Sequence, residues 1–194
     1  MKRKIVLASK SSRRKFLLGL IGLKFDVRES QYDEDMQAHK DPYQLAEFLA
    51  FKKAEEVASH YSNAIIIGAD TFVIYKNKFI GKPKDKKDAF RIIKLLSGKS
   101  HTAISGLALI DTKTGKKIIT HEEARVTFRK LKDNEIKKYL KNKECLDMAG
   151  AYGLMGKAAG LIKSIEGDFY SIIGLPLTKL HLGLKKMGVD SFDI

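Results

Sequence analysis

The most distinctive hydrophobic pattern in the chain is the apolar run Ala64–Ile74, with the sequence AIIIGADTFVI. Its three consecutive isoleucines have no helical spacing and predict a buried strand. One carboxylate, Asp70, interrupts the run, and we expect it at the end of that strand. Because Gly68 and Ala69 have almost no side chain, another group can approach the backbone closely there.

The position of Asp70 raises the question of its partner. An unpaired carboxylate in apolar surroundings costs several kcal/mol or becomes neutral, so we expect Asp70 to face a cation. A second interpretation stays open at this point, in which Asp70 is a turn residue between two hairpin strands and has no chemical role.

Elsewhere, short apolar segments alternate with amphipathic helical segments. Alternation of this kind predicts an α/β fold with a mixed sheet. The chain is long enough to bury one sizeable core or two small lobes that share a cleft, and without a linker or repeat it is expected to form one domain over residues 1–194. The predicted elements are a strand at Lys4–Ala8, a helix from Asp41, a helix from Asp85 or Asp88 to Ser97, a hairpin around Gly115, a helix at Asp133–Lys141, two short strands within Ile162–Ile173 and a last helix after Pro176.

The loop after the first predicted strand contains candidate chemistry. Ser9 begins a hydroxyl-rich segment, and Arg13 and Arg14 fall in the first turn of the helix that follows. Cations in that turn oppose the helix dipole unless an anion lies between them, so the segment predicts an anion site. The alternative is ordinary serine capping with solvated arginines.

Further charged residues suggest what the anion is. Glu34 lies in an acidic patch, Lys52 and Lys53 lie in the middle of the helix from Asp41, and Lys82 lies in a tight turn. A solvated pair is the usual interpretation of two such helical lysines. Carboxylates that hold Mg²⁺ or Mn²⁺, together with cations that neutralise phosphate oxygens, are what phosphate chemistry requires. The chain has neither a P-loop motif nor a Rossmann glycine motif.

Composition adds a basic balance of 37 Lys and Arg against 23 Asp and Glu, a net charge of +14 in 194 residues. Such a charge attracts polyanions, although the lysines are spread along the whole sequence. Cys145 is the single cysteine and is expected to be a small, partly buried residue outside any zinc site. The sequence shows no membrane span and no signal peptide, which predicts a cytoplasmic protein without a membrane partner.

Nine segments of the chain, in order and over nearly its full length, resemble the Maf family of nucleoside triphosphate pyrophosphatases. In that family the opening motif is LASxSPRR and the central one is IGADTVV. The matching segments here are LASKSSRR, YDED, FLAFKKA, IIIGADTFV, GKPKD, LSGKSHTAISGLAL, VTFRKL, DMAGAYGLMG and IEGDFYSIIGLP.

The resemblance implies an elongated, two-lobed Maf/ITPase-like fold with a central cleft, and a homodimer. It also implies cleavage between the α and β phosphates of a nucleoside triphosphate, giving the monophosphate and pyrophosphate in a house-cleaning role linked to cell-division arrest. Asp70 would be the general base for the attacking water, a metal ligand, or both. Glu34 would help to hold the divalent metal ion, Mg²⁺ or Mn²⁺.

The resemblance implies that basic residues bind the phosphates of the nucleotide and that a second group of residues selects its nucleobase. Cations at Arg13, Lys53 and Lys82 would grip the phosphates, and Ser9 with the adjacent loop through Arg14 would supply hydrogen bonds.

For the base, Arg13 and Thr71 match the branch that acts on dTTP and UTP, whereas Met155 stands where that branch has glutamine. A thioether lacks the paired donor and acceptor of an amide, so base selectivity is the least determined property. Ser12 and Met148 also depart from the family pattern, which has proline and lysine there.

A protein of another class has to be weighed against this enzyme. The net charge of +14 is also compatible with a basic nucleic-acid-binding or regulatory protein that keeps the fold without turnover. Such proteins gather basic and aromatic residues on one face, and no tract of the sequence does so. The expected partner is therefore a nucleoside triphosphate, with no specific nucleic acid.

Overall fold

The computed structural model describes residues 3–141 and 143–190. Its strands form a seven-stranded mixed sheet in the order β2-β1-β3-β5-β6-β7, with β4 paired to β3. Strand β1 is parallel to β2 and β3, whereas β3–β4 and β6–β7 are antiparallel. The strands are β1 (Lys4–Leu7), β2 (Asp26–Val27), β3 (Ala64–Tyr75), β4 (Lys78–Ile80), β5 (Ser100–Asp111), β6 (Lys117–Phe128) and β7 (Ile162–Gly167). The prediction of an α/β fold with a mixed sheet is confirmed.

The described residues form six α-helices, and none of these is long and apolar enough to cross a membrane. Asp41 caps α2 by accepting a hydrogen bond from the Gln44 amide at 2.8 Å, as its position before Pro42 predicts. Asp85, and not Asp88, caps α3. The helices are α1 (Ser12–Leu20), α2 (Pro42–Ala58), α3 (Lys86–Leu96), α4 (Asp133–Tyr139), α5 (Phe169–Ile173) and α6 (Leu177–Lys186).

Strand β3 is longer than the sequence predicts. It continues through Asp70 to Tyr75 without a break, and the hairpin to β4 turns at Lys76 and Asn77, whose φ angles are 51° and 60°. Both the strand end expected at Asp70 and the alternative of a turn aspartate are therefore wrong. A carboxylate does not interrupt a strand when its side chain lies on a face of the sheet where a cation pairs with it.

The segment Ile162–Ile173 also differs from prediction, because its second half is helix α5 and not a strand. Gly167 ends β7 with a φ of 103°. Asp168 then accepts a hydrogen bond from the Ser171 amide at 2.5 Å, in the manner of a helix cap. The apolar residues that follow have no alternation long enough to separate a short strand from a short helix.

The chain divides into two compact units, each with its own core. Unit 1 is Met1–Asp70, Ser105–Glu122 and Gly174–Ile194, and unit 2 is Thr71–Ile104 and Glu123–Ile173. In unit 1, apolar residues of β1, β3 and β5 pack with α2 around Ile66 and Ala54. In unit 2, α3 and α4 pack on the sheet around Phe128. Cys145 belongs to this second core and is fully buried, not partly so as expected, and burial raises the pKa of its thiol.

Candidate active site

The site in unit 1 is built on the close approach of helix α2 to strand β3. A Cβ atom placed on Gly68 would lie 2.2 Å from the Ala50 carbonyl oxygen and 2.8 Å from the Ala54 Cβ. Glycine is therefore required at this crossing. Side chains alternate along a strand, so Asp70 shares the face of Gly68 and points toward the same helix, on which Lys53 precedes Ala54.

Lys53 joins two carboxylates. Its Nζ lies 2.5 Å from Asp70 Oδ1 and 2.7 Å from Glu34 Oε1. The Lys53 and Asp70 side chains are 12% and 10% exposed, and that of Glu34 is 47% exposed. Asp70 thus has the cation that its burial requires, and the cluster is open on the Glu34 side.

The neighbouring Lys52 shows why the usual interpretation of a helical lysine pair fails here. Lys52 is solvated and pairs with Glu55 one turn further on, at 2.8 Å. Lys53 points the other way, toward the strand, because consecutive residues of a helix diverge by roughly 100°. Only one lysine of the pair belongs to the site.

The loop after β1 places an arginine and a serine together. Arg14 Nη1 donates to Ser9 Oγ at 3.0 Å, and Arg14 Nε donates to the Gly174 carbonyl at 2.9 Å. Ser11, not Ser9, caps α1 by accepting from the Arg14 amide. No sequence pattern pointed to the Gly174 carbonyl, because every residue has a backbone oxygen and the residue type does not indicate which one accepts a hydrogen bond.

Arg14 lies in the electrostatic field of the carboxylate cluster. Burial lowers the pKa of its guanidinium, the charge of Asp70 acts in the opposite direction, and neighbouring Arg13 lowers the pKa again. Glu34 also raises it. Helix α1 has no acidic residue in its first turn, and Arg13 has no ion pair with any described residue. Three cations, Arg13, Arg14 and Lys53, face two carboxylates, and this excess of positive charge leaves room for an anion.

The remaining predicted residues belong to unit 2. Thr71 directly follows Asp70 on β3, and Lys82 Nζ lies 3.0 Å from Asp147 Oδ1, with both side chains largely exposed. Met155 is 39% exposed. A hydrogen bond of 3.0 Å from the Gly150 amide to the Gly81 carbonyl connects the DMAGAYGLMG segment to the turn that carries Lys82. No sequence pattern singled out Asp147 as a partner.

The carboxylates of unit 1 have the chemistry of a divalent-metal site. Asp70 and Glu34 approach the same ammonium, so two hard oxygen donors lie within two hydrogen-bond lengths of each other. Mg²⁺ is commonly held by one or two carboxylates, with water and phosphate oxygens completing its shell. The described residues contain no group of three or more His, Cys, Asp or Glu side chains suited to a metal. The donor set fits a metal shared with a phosphate ligand, but not a closed protein cage.

Paired carboxylates, a nearly buried lysine and an arginine-bearing helix start are side chains suited to a phosphorylated ligand. The model of the family described as "Maf-like protein" matches residues 4–187. The chain therefore belongs to the Maf family.

Curated relatives cover nearly the whole chain. A protein of Dictyoglomus turgidum named dTTP/UTP pyrophosphatase is 43% identical over 97% of this chain and 98% of its own length. Proteins with the same name from Alkaliphilus oremlandii and Bacillus anthracis are each 42% identical. The alignment with the Alkaliphilus oremlandii protein covers 99% of this chain and 98% of the relative. The alignment with the Bacillus anthracis protein covers 97% of each.

Proposed function

We propose that this chain is a nucleoside triphosphate pyrophosphatase that hydrolyses dTTP and UTP between the α and β phosphates, releasing the monophosphate and pyrophosphate. The relatives that carry the name dTTP/UTP pyrophosphatase support the substrate class, because they align with 97% or more of the chain. The observation that carries the chemistry is the Lys53 ammonium bridging Asp70 and Glu34 beside Arg14.

The residues of unit 1 divide the reaction between them. Asp70 would accept the proton of the attacking water, since its carboxylate is buried and fixed by one hydrogen bond. Lys53 holds Asp70 against Glu34. Arg13 and Arg14 would neutralise phosphate oxygens as negative charge develops on them.

Asp70 and Glu34 would also hold a divalent ion, Mg²⁺ or Mn²⁺. When bound, that ion would supply Lewis-acid polarisation of the phosphate oxygens. Lys53 would then keep one carboxylate oxygen of each residue occupied, which leaves the other oxygens for the metal. Lys82, the unit 2 cation that the resemblance assigns to phosphate, would exchange its exposed partner Asp147 for a ligand at little cost.

The direct test is a substrate panel. The purified chain is incubated with dTTP, UTP, CTP, dCTP, ATP and GTP, with Mg²⁺, Mn²⁺ or EDTA, and both products are quantified. We expect equal amounts of pyrophosphate and monophosphate, fastest from dTTP and UTP, and only with metal. Release of inorganic phosphate, or of nothing, would contradict the function. Full activity in EDTA would contradict the proposed metal requirement but not the pyrophosphatase function.

A further inference from the structure

The two units differ in net charge. Unit 2 has 19 Lys and Arg against 9 Asp and Glu, a net charge of +10, whereas unit 1 has 18 against 14, a net charge of +4. Within unit 2, residues 71–104 alone have nine cations against two acids. A field of one sign on a unit of this size attracts polyanions and raises their local concentration.

A groove in unit 2 is lined by four of these cations, Lys76, Lys78, Lys82 and Arg91. The groove has a volume of about 400 Å³ and lies between the β3–β4 hairpin and helix α3. Its floor includes the buried side chains of Ile80 and Ile92. On its sides, Phe79 is 38% exposed and Leu95 is 36% exposed. An apolar floor of this kind accepts a flat, weakly polar group.

The hairpin side of the groove combines aromatic and basic residues. Tyr75 and Phe79 flank the tip, and Lys76 and Lys78 lie between them. The Nζ atom of Lys76 lies 5.8 Å from the centroid of the Tyr75 ring, and that of Lys99 lies 5.6 Å from it. Both hairpin lysines are exposed, and neither forms an ion pair with a described residue.

The helix side of the groove adds Arg91, whose guanidinium is already paired with a carboxylate. Arg91 Nη2 pairs with Asp88 Oδ1 at 2.7 Å. Asp88 is the single acidic residue among those that line the groove, and its carboxylate is already neutralised by this pair. Anionic ligands therefore meet no unpaired negative charge there.

From this arrangement we propose that the groove binds single-stranded nucleic acid without sequence preference. A base would stack on Phe79 beside the partly buried Tyr75, and Lys76 and Lys78 would contact phosphates. Lys82, which the proposed function assigns to the triphosphate, also lines the groove. This combination of π-faces with a basic track is how sequence-tolerant single-strand sites work. The lysines of the sequence are spread out, but the hairpin and α3 bring a few of them beside aromatic rings. An acidic peptide would satisfy the cations, but it would make no use of the exposed Phe79 ring at a basic hairpin.

The test is the fluorescence anisotropy of a labelled dT 12-mer titrated with the full chain at several salt concentrations. With two phosphate contacts, the slope of log K against log salt is expected to be about −1.4, since each contact adds about −0.7 for a single strand. Phe79→Ala should weaken binding about tenfold through lost stacking. Lys78→Glu should weaken binding at least about fivefold and make the slope shallower by about one contact.

A matched control exists in the hairpin of unit 1. Lys113 is also exposed at a hairpin turn, and Lys113→Glu changes the charge by the same amount. We expect it to change the affinity less than twofold. Circular dichroism melting confirms that each variant is folded, and the result does not depend on the proposed pyrophosphatase activity.

Three outcomes would overturn the proposal. The first is equal weakening by Lys78→Glu and Lys113→Glu, which would mean attraction by net charge alone. The second is unchanged binding by Phe79→Ala, which would remove the stacking. The third is competition by poly-glutamate as effective as that by unlabelled oligonucleotide, which would indicate an acidic protein partner.

Discussion

Single residues with the same chemistry differ here in what surrounds them, and the buried aspartates of unit 1 show this. Asp70 contacts a lysine that also holds Glu34, whereas Asp111 pairs with Arg3 and accepts backbone amides of the turn that follows it. The first arrangement faces a partly open cluster, and the second closes a hairpin. The two carboxylates should therefore respond differently to loss of charge.

Asp70→Asn is expected to lower kcat for dTTP at least about 100-fold, because the amide neither accepts the proton of water nor attracts a metal. Its stability should fall by no more than about 2 kcal/mol, since the amide oxygen still accepts from Lys53. Asp111→Asn is the control and should lose stability while kcat is unchanged. Steady-state kinetics and urea unfolding of both variants measure these effects. Near-wild-type turnover in Asp70→Asn would assign that residue to structure.

Substitution of Met155 is expected to change which nucleobase the protein prefers. Its thioether accepts only weakly and donates nothing, whereas glutamine offers both functions to the edge of a pyrimidine. Met155→Gln should raise kcat/KM for dTTP relative to dCTP by roughly tenfold, as one good hydrogen-bonding pair allows. Met155→Leu is the size-matched control and should leave the ratio unchanged. An unaltered ratio in the glutamine variant would place base selection elsewhere.

His101 couples stability to pH. Its ring lies 2.8 Å from the Tyr152 hydroxyl, its Nδ1 has no partner among the described residues, and burial lowers its pKa from 6.5 to about 4. The unfolded chain therefore binds a proton that the folded chain refuses, and stability falls as pH falls from about 6.5 to 4. Urea unfolding at pH 7 and 4.5 should show a loss of about 2–3 kcal/mol from this residue.

His101→Gln should remove that part of the pH dependence while keeping a hydrogen bond to Tyr152. His60→Gln changes an exposed histidine of unit 1 that lies 3.3 Å from Glu56, and as a control it should not reproduce the effect of His101→Gln. If His101→Gln kept the full wild-type slope between pH 7 and 4.5, the acid sensitivity would belong to carboxylates.

At the scale of elements, the packing of α2 on β3 decides where the site forms. Gly68→Ala drives a Cβ into the Ala50 carbonyl oxygen, 2.2 Å away, so the helix must move outward. We expect a loss of about 3 kcal/mol or more in the free energy of unfolding, measured by chemical denaturation. Gly19→Ala is the matched control on α1, where a Cβ meets no atom within 4 Å. It should stabilise the protein by about 0.5–1 kcal/mol.

The sequence predicted elements better than their meeting points. Alternation and capping residues placed α2 and α3 correctly, because these signals act within a few residues. Strand β3 was cut short at Asp70, since a charge in an apolar run resembles a boundary until its partner is known. Lys53 could be separated from Lys52 only by the resemblance to the Maf family, because helix rotation relative to a distant strand is a tertiary property.

For the whole molecule, the net charge of +14 is a stability term as well as an attraction for anions. Like charges repel more strongly in the compact state than in the unfolded chain, and added salt screens this repulsion over about 10 Å at 0.1 M. The homodimer implied by the resemblance stays a prediction, for which sedimentation at several salt concentrations is the measurement.

Because unit 2 has the larger net charge, added salt is expected to stabilise unit 2 more than unit 1. Raising NaCl from about 20 to 300 mM should raise Tm by several degrees and should slow hydrogen exchange in unit 2, net +10, more than in unit 1, net +4. Lys87→Glu, at the start of α3, should add about 1 kcal/mol and reduce the salt effect, because it also removes a cation from a helix N-terminus. Lys113→Glu in unit 1 should do less. A Tm that falls with salt would mean that ion pairs such as Lys53–Asp70 outweigh the repulsion.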